Sequence, residues 1–413
     1  MATFQEIILY FFLFVGIYFE VFILFTYLLN KTRIRAEGEK SCERKNYPSV
    51  TITVPCFNEE KTVGKTIESL LAQNYPKHRL KVVIVDDGST DSTWKIIEEY
   101  KSKFPELVTH HKENGGKFTA LNYSIERSTS DLVGCLDADS TVHPDTLKKL
   151  ACQFEDPAVM AVTPAMKIHN PKTIVQMLQS AEYIFGILVK KVMGLISAIH
   201  VTPGPFTIFR RSVFSKIGLF HHAHNTEDME IAFRMQANRM KIENVHNAWV
   251  YTTGPDTVKK LYKQRVRWTY GFLQNVRDYK YLFFNKDYGN IGMLTLPVGL
   301  ILIIGVFFSV FFILFRAGSF IARKYIEWRT IGFLKPEFHL SFFYVSTKIH
   351  IFLVVFVYIL MVTLIIHAQG LVEEKRRLPK GMILYFLLYP IISPFWILKS
   401  LYNIITSKKT TWR

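Results

Sequence analysis

Two aspartates with a spacing of two, Asp137 and Asp139, follow the short apolar run 132–136. In an extended chain, residues two apart point the same way, so both carboxylates can face one point. Two such oxygen ligands beside a phosphate suit Mg²⁺ or Mn²⁺. A plain turn is the alternative, because Asp and Ser are common turn residues. The pattern therefore predicts a cation site or a turn at the end of a strand.

Two further acidic groups have the same ambiguity. Asp86 and Asp87 end the apolar run 82–86 and precede Gly88. Adjacent side chains on a strand point to opposite faces, so one Asp can face a ligand while the other braces the loop, although Asp-Gly is also ordinary turn chemistry. Asp228 is a candidate general base, and a helix cap is the alternative.

Basic, glycine and aromatic residues supply the partners that a phosphorylated ligand needs. The stretch 114–117 reads Asn-Gly-Gly-Lys before a helical pattern, and a helix N-terminus with Lys117 attracts phosphate. On a helix, Gln264 and Trp268 share a face with Arg267 beside them. Trp offers a flat surface for a sugar ring and Arg a fork for a diphosphate. The alternatives are a flexible turn for 114–117 and a membrane-surface helix for the second group.

The elements that must position these residues follow a β-α-β-α order. Short β-branched runs predict buried parallel strands, and periodic apolar positions between them predict helices. Together they predict an α/β fold with an open, doubly wound, mostly parallel sheet, which binds ligands at the carboxyl ends of its strands. The predicted strands are 50–55, 82–86, 132–136 and 159–163, and the predicted helices are 61–73, 92–103, 117–127 and 144–154.

Long apolar segments flank this central part. Residues 7–29 are long enough to span a bilayer and lack the basic start of a signal peptide. The basic stretch that follows, with Lys40, Arg44 and Lys45 at its end, predicts a cytoplasmic flank and an N-terminus outside. Further candidates are 291–315, 342–367 and 381–402, and the last contains Pro390 and Pro394, which can kink or split it. Simple crossings cannot put every connecting segment on the side that its charge predicts. The segments concerned are the basic loop 316–341, the loop 368–380 and the basic tail 407–413. The number of C-terminal spans, two or three, therefore stays open.

Net charge bears on the class of partner. The formal charge is +17, with Lys and Arg concentrated beside the membrane segments. The sequence has no zinc-finger spacing, no RNA-binding sheet motif and no long basic helix, so nucleic acid is not expected as a partner. The histidines at 221, 222 and 224 do not have the spacing of a helical metal-binding pair, and this predicts a loop.

Taken in order, these motifs resemble the family 2 glycosyltransferases, in particular the processive inverting synthases of cellulose, chitin, hyaluronan and poly-N-acetylglucosamine. The resemblance covers roughly residues 50–275. It implies a GT-A, Rossmann-like domain with transmembrane helices, a UDP-sugar donor and Mg²⁺ or Mn²⁺. The motifs that carry it are VPCFNEE (54–60), VDDGSTD (85–91), NGGKFTAL (114–121), DAD (137–139), TED (226–228) and QRVRW (264–268).

The resemblance also implies roles for individual residues. Asp228 is the expected catalytic base. Asp139 is the expected metal ligand, with Asp137 beside it on metal and nucleotide. The expected nucleotide-sugar contacts are Asn58, Glu60, Asp87, Lys117, Asp137 and Arg267, and the expected acceptor contacts are Glu227, Gln264 and Trp268. The stretch 202–211 resembles the acceptor-side segment, but it has Pro205-Phe206 where many relatives have small residues.

The predicted organisation follows from these assignments. The predicted parts are a transmembrane helix at 1–30, a basic cytoplasmic linker at 31–49, the glycosyltransferase domain at 50–257, interfacial helices at 258–290 and a membrane region at 291–413. The expected activity is addition of a sugar, with N-acetylglucosamine as the best candidate, to a growing β-linked polysaccharide at the plasma membrane, with the catalytic domain cytoplasmic. Single transfer to a lipid or polyprenyl phosphate, and a transporter with a regulatory nucleotide-sugar domain, are the alternatives. The sequence does not indicate which export or accessory protein, if any, is a partner.

Overall fold

The fold is that of a computed structural model, which describes residues 4–39, 42–43, 46–332, 349–372, 378–379 and 381–407. Within these ranges one eight-stranded sheet lies at the centre of the globular part. Its strands are β1 (Val50–Cys56), β2 (Leu80–Asp86), β3 (Val108–His111), β4 (Leu132–Cys135), β5 (Ser140–Val142), β6 (Val159–Ile168), β7 (Ile208–Arg210) and β8 (Lys241–Thr252).

Helices surround the sheet and extend beyond it. They are α1 (Phe4–Glu39), α2 (Val63–Leu71), α3 (Thr93–Lys103), α4 (Lys117–Arg127), α5 (Thr146–Cys152), α6 (Ile174–Leu195), α7 (Ser212–Ile217), α8 (Glu227–Ala237), α9 (Val258–Asp278), α10 (Leu296–Ile331), α11 (Ile349–Val372) and α12 (Met382–Ile405). The four predicted strands correspond to β1, β2, β4 and β6. The four predicted helices correspond to α2, α3, α4 and α5.

The strand order is β3-β2-β1-β4-β7-β6-β8-β5. The pairs β1–β2, β1–β4, β2–β3 and β6–β8 are parallel, whereas β7 is antiparallel to β4 and β6, and β5 is antiparallel to β8. The predicted α/β class with a mostly parallel sheet is therefore confirmed, with the antiparallel β7 inserted between its two parallel parts.

Strand β1 shows why the apolar runs form the centre of the sheet. Val50, Ile52 and Val54 are wholly buried on one face, and Thr51 and Thr53 are almost as buried on the other. A strand covered on both faces has no solvent side, so both of its faces carry small or apolar side chains and neither carries charge. This covering by helices on both faces is what the uninterrupted run at 50–55 predicts.

The strand order reverses at β1, because β2 and β3 lie on one side of β1 and β4 lies on the other. Because β1, β2 and β4 are parallel, their carboxyl ends meet at one edge. Such a switch point opens a crevice between the loops that follow the strands. The segments that meet here are 57–60, 87–92 and 136–139.

Among the described residues, four helical segments are long and apolar enough to cross a membrane: Phe4–Glu39, Ile291–Ile331, Ile349–Val372 and Met382–Ile405. Helix α1 continues nine residues past the predicted end of its transmembrane part at 30, through the first half of the predicted linker. Two ion pairs stabilise this extension, since Glu37 contacts Arg33 at 2.8 Å and Lys191 of α6 at 2.7 Å. Lys40, Arg44 and Lys45 of the predicted basic flank lie outside the described residues.

The C-terminal helices differ from the prediction in their bounds. Helix α10 continues to Ile331, so residues 316–331 of the predicted loop are helical. Helix α12 runs unbroken through Pro390 and Pro394, so the prolines do not split it. Residues 342–348 of the third predicted span, 373–377 of the loop 368–380 and 408–413 of the tail lie outside the described part of the chain.

Helices α6 and α9 connect the globular part to the long apolar helices. Helix α6 packs against β6 and β8 on one side and against α11 and α12 on the other. Helix α9, which carries residues 264–268, packs against α12. The crevice at the switch point is therefore closed on its far side by elements that contact apolar helices.

Candidate active site

A cavity of about 1690 Å³ opens at the carboxyl ends of β1, β2 and β4. The predicted site residues that it brings together are up to 181 positions apart in the sequence, from Asp87 to Trp268. The predicted site residues that line it are Asp87, Lys117, Asp137, Asp139, Glu227, Asp228, Gln264, Arg267 and Trp268. The sequence motifs thus converge on one place.

Asn58 and Glu60 are the two predicted site residues that do not line the cavity. The Asn58 Oδ1 accepts a hydrogen bond from the Thr90 N–H at 2.8 Å, and the Glu60 Oε2 accepts one from the Ser92 N–H at 3.1 Å. Both side chains therefore brace the loop that follows β2. Their neighbour Glu59 lines the cavity in their place, while a direct nucleotide contact by Asn58 or Glu60 stays a prediction.

The two aspartates at the end of β2, Asp86 and Asp87, have different roles, as adjacent residues on opposite faces of a strand can. The buried Asp86 accepts from Ser89 and lies 2.6 Å from His111 Nδ1, so it holds the turn. Asp87 lines the cavity and accepts the N–H groups of Gly115 and Gly116 at 3.0 and 2.8 Å. Asp87 thereby fixes the glycine loop that begins α4.

Lys117, the first residue of α4, joins two carboxylates from distant parts of the chain. Its Nζ lies 2.6 Å from Asp137 Oδ1 and 3.1 Å from Glu227 Oε1. Burial alone would lower the pKa of Lys117, but the two carboxylates outweigh it and raise that pKa well above its usual value. The ammonium therefore stays charged at the centre of the cavity, at a helix N-terminus that also favours anions.

Asp137 and Asp139 both line the cavity, but not by the extended geometry that the spacing suggests. Ala138 and Asp139 form a turn between β4 and β5, which is the alternative interpretation of this motif. Burial, the charge of Asp137 and the charge of Glu59 raise the pKa of Asp139 to about 6. Asp139 in the turn and Asp137 just before it thus present carboxylate oxygens, which are hard metal ligands, to the same cavity.

Gly204 faces this acidic pair from the segment before β7. A Cβ at this position would lie 2.5 Å from Lys117 Nζ and 2.9 and 3.0 Å from the two Asp137 carboxylate oxygens. Real Cβ atoms do not approach other heavy atoms this closely. A larger residue at 204 would therefore force the Lys117 ammonium or the Asp137 carboxylate to move, a constraint that no sequence pattern signals.

Asp228 is the second residue of α8, beneath the centre of the cavity. Its backbone carbonyl accepts from the Thr202 N–H and hydroxyl at 3.2 and 2.7 Å, which fixes its position. Burial and the neighbouring Glu227 raise its pKa to about 6, against the opposing charges of Lys117 and Arg267. The carboxylate is therefore mostly ionised at neutral pH yet more basic than an ordinary Asp, as a general base requires.

Glu227 has a different environment from the one its predicted acceptor role suggests. Its side chain is almost wholly buried and pairs with Lys117. Burial would raise its pKa, but Lys117 and its other partners lower it below the usual range. Glu227 therefore contributes fixed negative charge beneath Lys117, and contact with an acceptor stays a prediction.

Helix α9 closes the opposite side of the cavity. The Arg267 guanidinium donates to the Asn225 carbonyl at 3.0 Å, next to the Thr226 that starts α8. The Gln264 Oε1 is buried without a hydrogen-bond partner among the described residues. An orphaned buried acceptor in a polar cavity indicates a place for a ligand donor such as a hydroxyl.

Sequence reasoning missed several residues of this wall. Lys190 of α6 lines the cavity near Asp228, and burial lowers its pKa to about 8. His200, which also lines it, has its pKa lowered to about 4 by burial and by Lys190. Both lie in a stretch whose apolar composition masks them, and the periodicity of α6 is the only signal that could have placed Lys190 on this face.

The histidine-rich loop before α8 lies between this cavity and a smaller one of about 860 Å³. Ala223, His224 and Asn225 all have positive φ angles, of 41°, 56° and 61°. His224 contacts Asp278 of α9 at 2.9 Å. Residues 223–225 form a short 3-10 turn within this connection. In the described ranges no three His, Cys, Asp or Glu side chains are grouped closely enough to hold a metal, and the role of the histidines stays open.

Comparison with known proteins agrees with this geometry. The model of the family described as "Glycosyl transferase family 2" matches residues 51–218. The poly-β-1,6-N-acetyl-D-glucosamine synthase of Staphylococcus aureus (strain COL) is 30% identical over 272 residues, which cover 65% of either chain. The Staphylococcus epidermidis synthase of the same name is 29% identical over 267 residues, 64% of either chain. The match thus spans just under two thirds of these relatives.

Among solved structures, the mannosyltransferase PcManGT from Pyrobaculum calidifontis, in complex with GDP-Man and Mn²⁺, is similar over 72% of this chain and 83% of its own, with a TM-score of 0.54. At 20% identity this likeness concerns the fold. It confirms the expected GT-A-like arrangement of a mixed sheet with helices on both faces.

Proposed function

Because this chain carries a glycosyl transferase family 2 domain and is related to the poly-β-1,6-N-acetyl-D-glucosamine synthases, we propose that it is a membrane-bound inverting glycosyltransferase. It transfers N-acetylglucosamine from UDP-N-acetylglucosamine to a growing β-linked polysaccharide. The convergence of Asp87, Asp137, Asp139, Asp228 and residues 264–268 on a single cavity carries this proposal.

The cavity has room for both substrates. Sites for one small ligand commonly enclose about 300–1,000 Å³, and this one encloses about 1690 Å³. The donor UDP-sugar occupies the end of the cavity beneath β1 and β2, with its uracil ring near Asp87 and its diphosphate near Lys117. The acceptor occupies the end beside α9, with a sugar ring on Trp268 and a hydroxyl donating to the orphaned Gln264 oxygen.

Asp137 and Asp139 fit a divalent cation, Mg²⁺ or Mn²⁺. Their donor set is two carboxylates that line the cavity, one oxygen of Asp137 being shared with Lys117. Mg²⁺ is commonly held by one or two carboxylates plus the phosphates of the substrate. Mn²⁺ accompanies GDP-Man in the archaeal mannosyltransferase complex. When bound, the cation would neutralise charge on the departing diphosphate.

The residues of this chain then perform a single displacement. The Asp228 carboxylate takes the proton of the acceptor hydroxyl, whose oxygen forms a bond to the anomeric carbon from the face opposite UDP. The bond from that carbon to the diphosphate oxygen breaks, and UDP leaves with the electron pair. Lys117 and Arg267 lie where they can hold this charge. An α-linked donor therefore gives a β-linked product.

The four apolar helical segments of the described residues support a membrane location for the reaction. We assign a multi-pass protein of the plasma membrane, with the basic flank of α1 and the catalytic domain on the cytoplasmic side, where UDP-sugars are made. The contact of α9 with α12 supports an acceptor end of the cavity next to the bilayer.

A lipid-linked acceptor is the second candidate, because Lys399 and Asn403 of the membrane helix α12 also line the cavity. Membranes containing the protein, incubated with radiolabelled UDP-sugars, test both. We expect incorporation from UDP-N-acetylglucosamine into a ladder or polymer that a β-hexosaminidase degrades, and incorporation lower by about 10²-fold or more with Asp228→Asn. A single sugar in the lipid extract supports the second candidate, and no incorporation from any UDP-sugar contradicts both.

A further inference from the structure

A buried polar cluster joins three helices beside the acceptor end of the cavity. The Arg265 Nη2 of α9 lies 2.6 Å from the Glu182 Oε2 of α6. The Tyr389 hydroxyl of the membrane helix α12 donates to the same Glu182 oxygen. The side chains of Arg265 and Glu182 are only 8% and 24% exposed, so water can replace little of this contact.

The cluster extends to Trp268. The Arg265 guanidinium lies over the Trp268 ring, with 4.4 Å between its Cζ and the ring centroid. Trp268, Arg265 and Glu182 all line the cavity, and the guanidinium that supports the Trp268 ring donates to Glu182. A cation over a ring limits the ring's orientation, and the effect grows when the pair is desolvated.

The geometry gives each member a separate task. Glu182 fixes the direction of the Arg265 fork, since a planar guanidinium donates only along set directions. Tyr389 fixes the Glu182 carboxylate, because its hydroxyl occupies the oxygen that Arg265 also uses. The Tyr389 ring is itself held by Tyr385 and Trp396, with ring centroids 4.7 and 5.4 Å away.

We propose that Glu182, Arg265 and Tyr389 form a positioning unit that sets the Trp268 ring for the acceptor sugar. The membrane helix α12 thereby controls acceptor affinity, and through it the length of the product. The inference rests on the proposed function, because it assigns Trp268 to an acceptor. It concerns residues that act through Trp268, and none of the three is a catalytic residue.

Tyr389→Phe tests the unit with the least disturbance, because it removes one hydroxyl and keeps the ring. A hydrogen bond to a charged group affects an equilibrium by about tenfold or more. We expect the KM for a short β-1,6-linked N-acetylglucosamine oligosaccharide to rise about tenfold and the products to shorten. The Kd for UDP-N-acetylglucosamine and the rate of UDP release without acceptor should stay within twofold of wild type.

Tyr358→Phe is the matched control, since Tyr358 lies on α11 and its ring packs on Phe386 at 5.6 Å, a residue that reaches Tyr389 only through Tyr385. Arg265→Lys should share the KM defect, because an ammonium keeps the charge but cannot reproduce the fork. An unchanged acceptor KM and product length in Tyr389→Phe, with an active wild type, overturns the inference alone. An equal loss of donor affinity also overturns it, because that indicates general damage. A wild type that transfers no N-acetylglucosamine contradicts the proposed function and this inference together.

Discussion

Gly204→Ala is the sharpest perturbation of the candidate site, because it adds one methyl group to a fully described contact. The new Cβ would lie 2.5 Å from Lys117 Nζ and within 3.0 Å of both Asp137 oxygens. Lys117 cannot simply swing aside, since it also holds Glu227 at 3.1 Å. The ammonium or the Asp137 carboxylate must therefore move by several tenths of an ångström or more.

The expected cost follows from that displacement. A misplacement of about 1 Å in a catalytic site can lower the rate by about 10²-fold. Because the shift here is smaller, we expect kcat/KM for UDP-N-acetylglucosamine to fall roughly 10- to 100-fold, or about 1.4–2.7 kcal/mol of transition-state stabilisation. The chain itself should stay folded, since the collision involves two side chains at the edge of a cavity.

The assay is the rate of UDP release by purified protein across a range of donor concentrations, with thermal unfolding measured on the same samples. Gly186→Ala is the control, because Gly186 also borders the cavity from α6 but a Cβ there meets no heavy atom within 4 Å. If Gly204→Ala turns over within twofold of wild type and unfolds at the same temperature, the Lys117–Asp137 pair does not have the importance that the geometry gives it.

Three further results are expected. Asp228→Asn should lower transfer by about 10²- to 10⁴-fold while UDP-N-acetylglucosamine still binds in calorimetry, because only the base is lost. In wild type, kcat/KM should fall about tenfold per pH unit below about 6, because the Asp228 carboxylate, with its pKa near 6, takes up a proton. A flat kcat/KM profile from roughly pH 4.5 to 7, a range that spans this pKa, contradicts the assignment of Asp228 as the base. A chelator should abolish UDP release, and Mg²⁺ or Mn²⁺ should restore it in wild type but only weakly in Asp139→Asn; full activity with chelator contradicts the cation site.

Local patterns predict the first half of the domain well. The run at 50–55 forms β1 because a strand covered on both faces needs apolar or small side chains throughout. The Gly-Gly-Lys sequence starts α4 at Lys117, where Gly116 with φ 91° adopts a conformation that other residues rarely enter. In both cases the deciding interactions are between near neighbours in the sequence.

Contacts between distant segments explain what the sequence could not predict. Strand β8 reads as a mixed polar segment at 241–252, because it gains its place by pairing with β6 and β5. The Glu182–Arg265 pair joins residues 83 positions apart. The local sequence around either residue does not predict its partner. Asn58 looks like a ligand contact by motif, yet its side chain accepts from Thr90, because the loop after β2 needs bracing.

The distribution of charge explains why a cation is needed in addition to Lys117. The carboxylates of Asp137, Asp139, Glu227 and Asp228 line the cavity in which we propose that the diphosphate binds, and Lys117 is already shared by Asp137 and Glu227. Asp139 accepts a hydrogen bond from the neutral Ser140 hydroxyl, which compensates little of its charge. A diphosphate that arrives alone would therefore meet more negative than positive charge on this side. With a divalent cation between it and the strand-end aspartates, the same ligand adds almost no net charge, and donor and cation should each strengthen the binding of the other by the same factor.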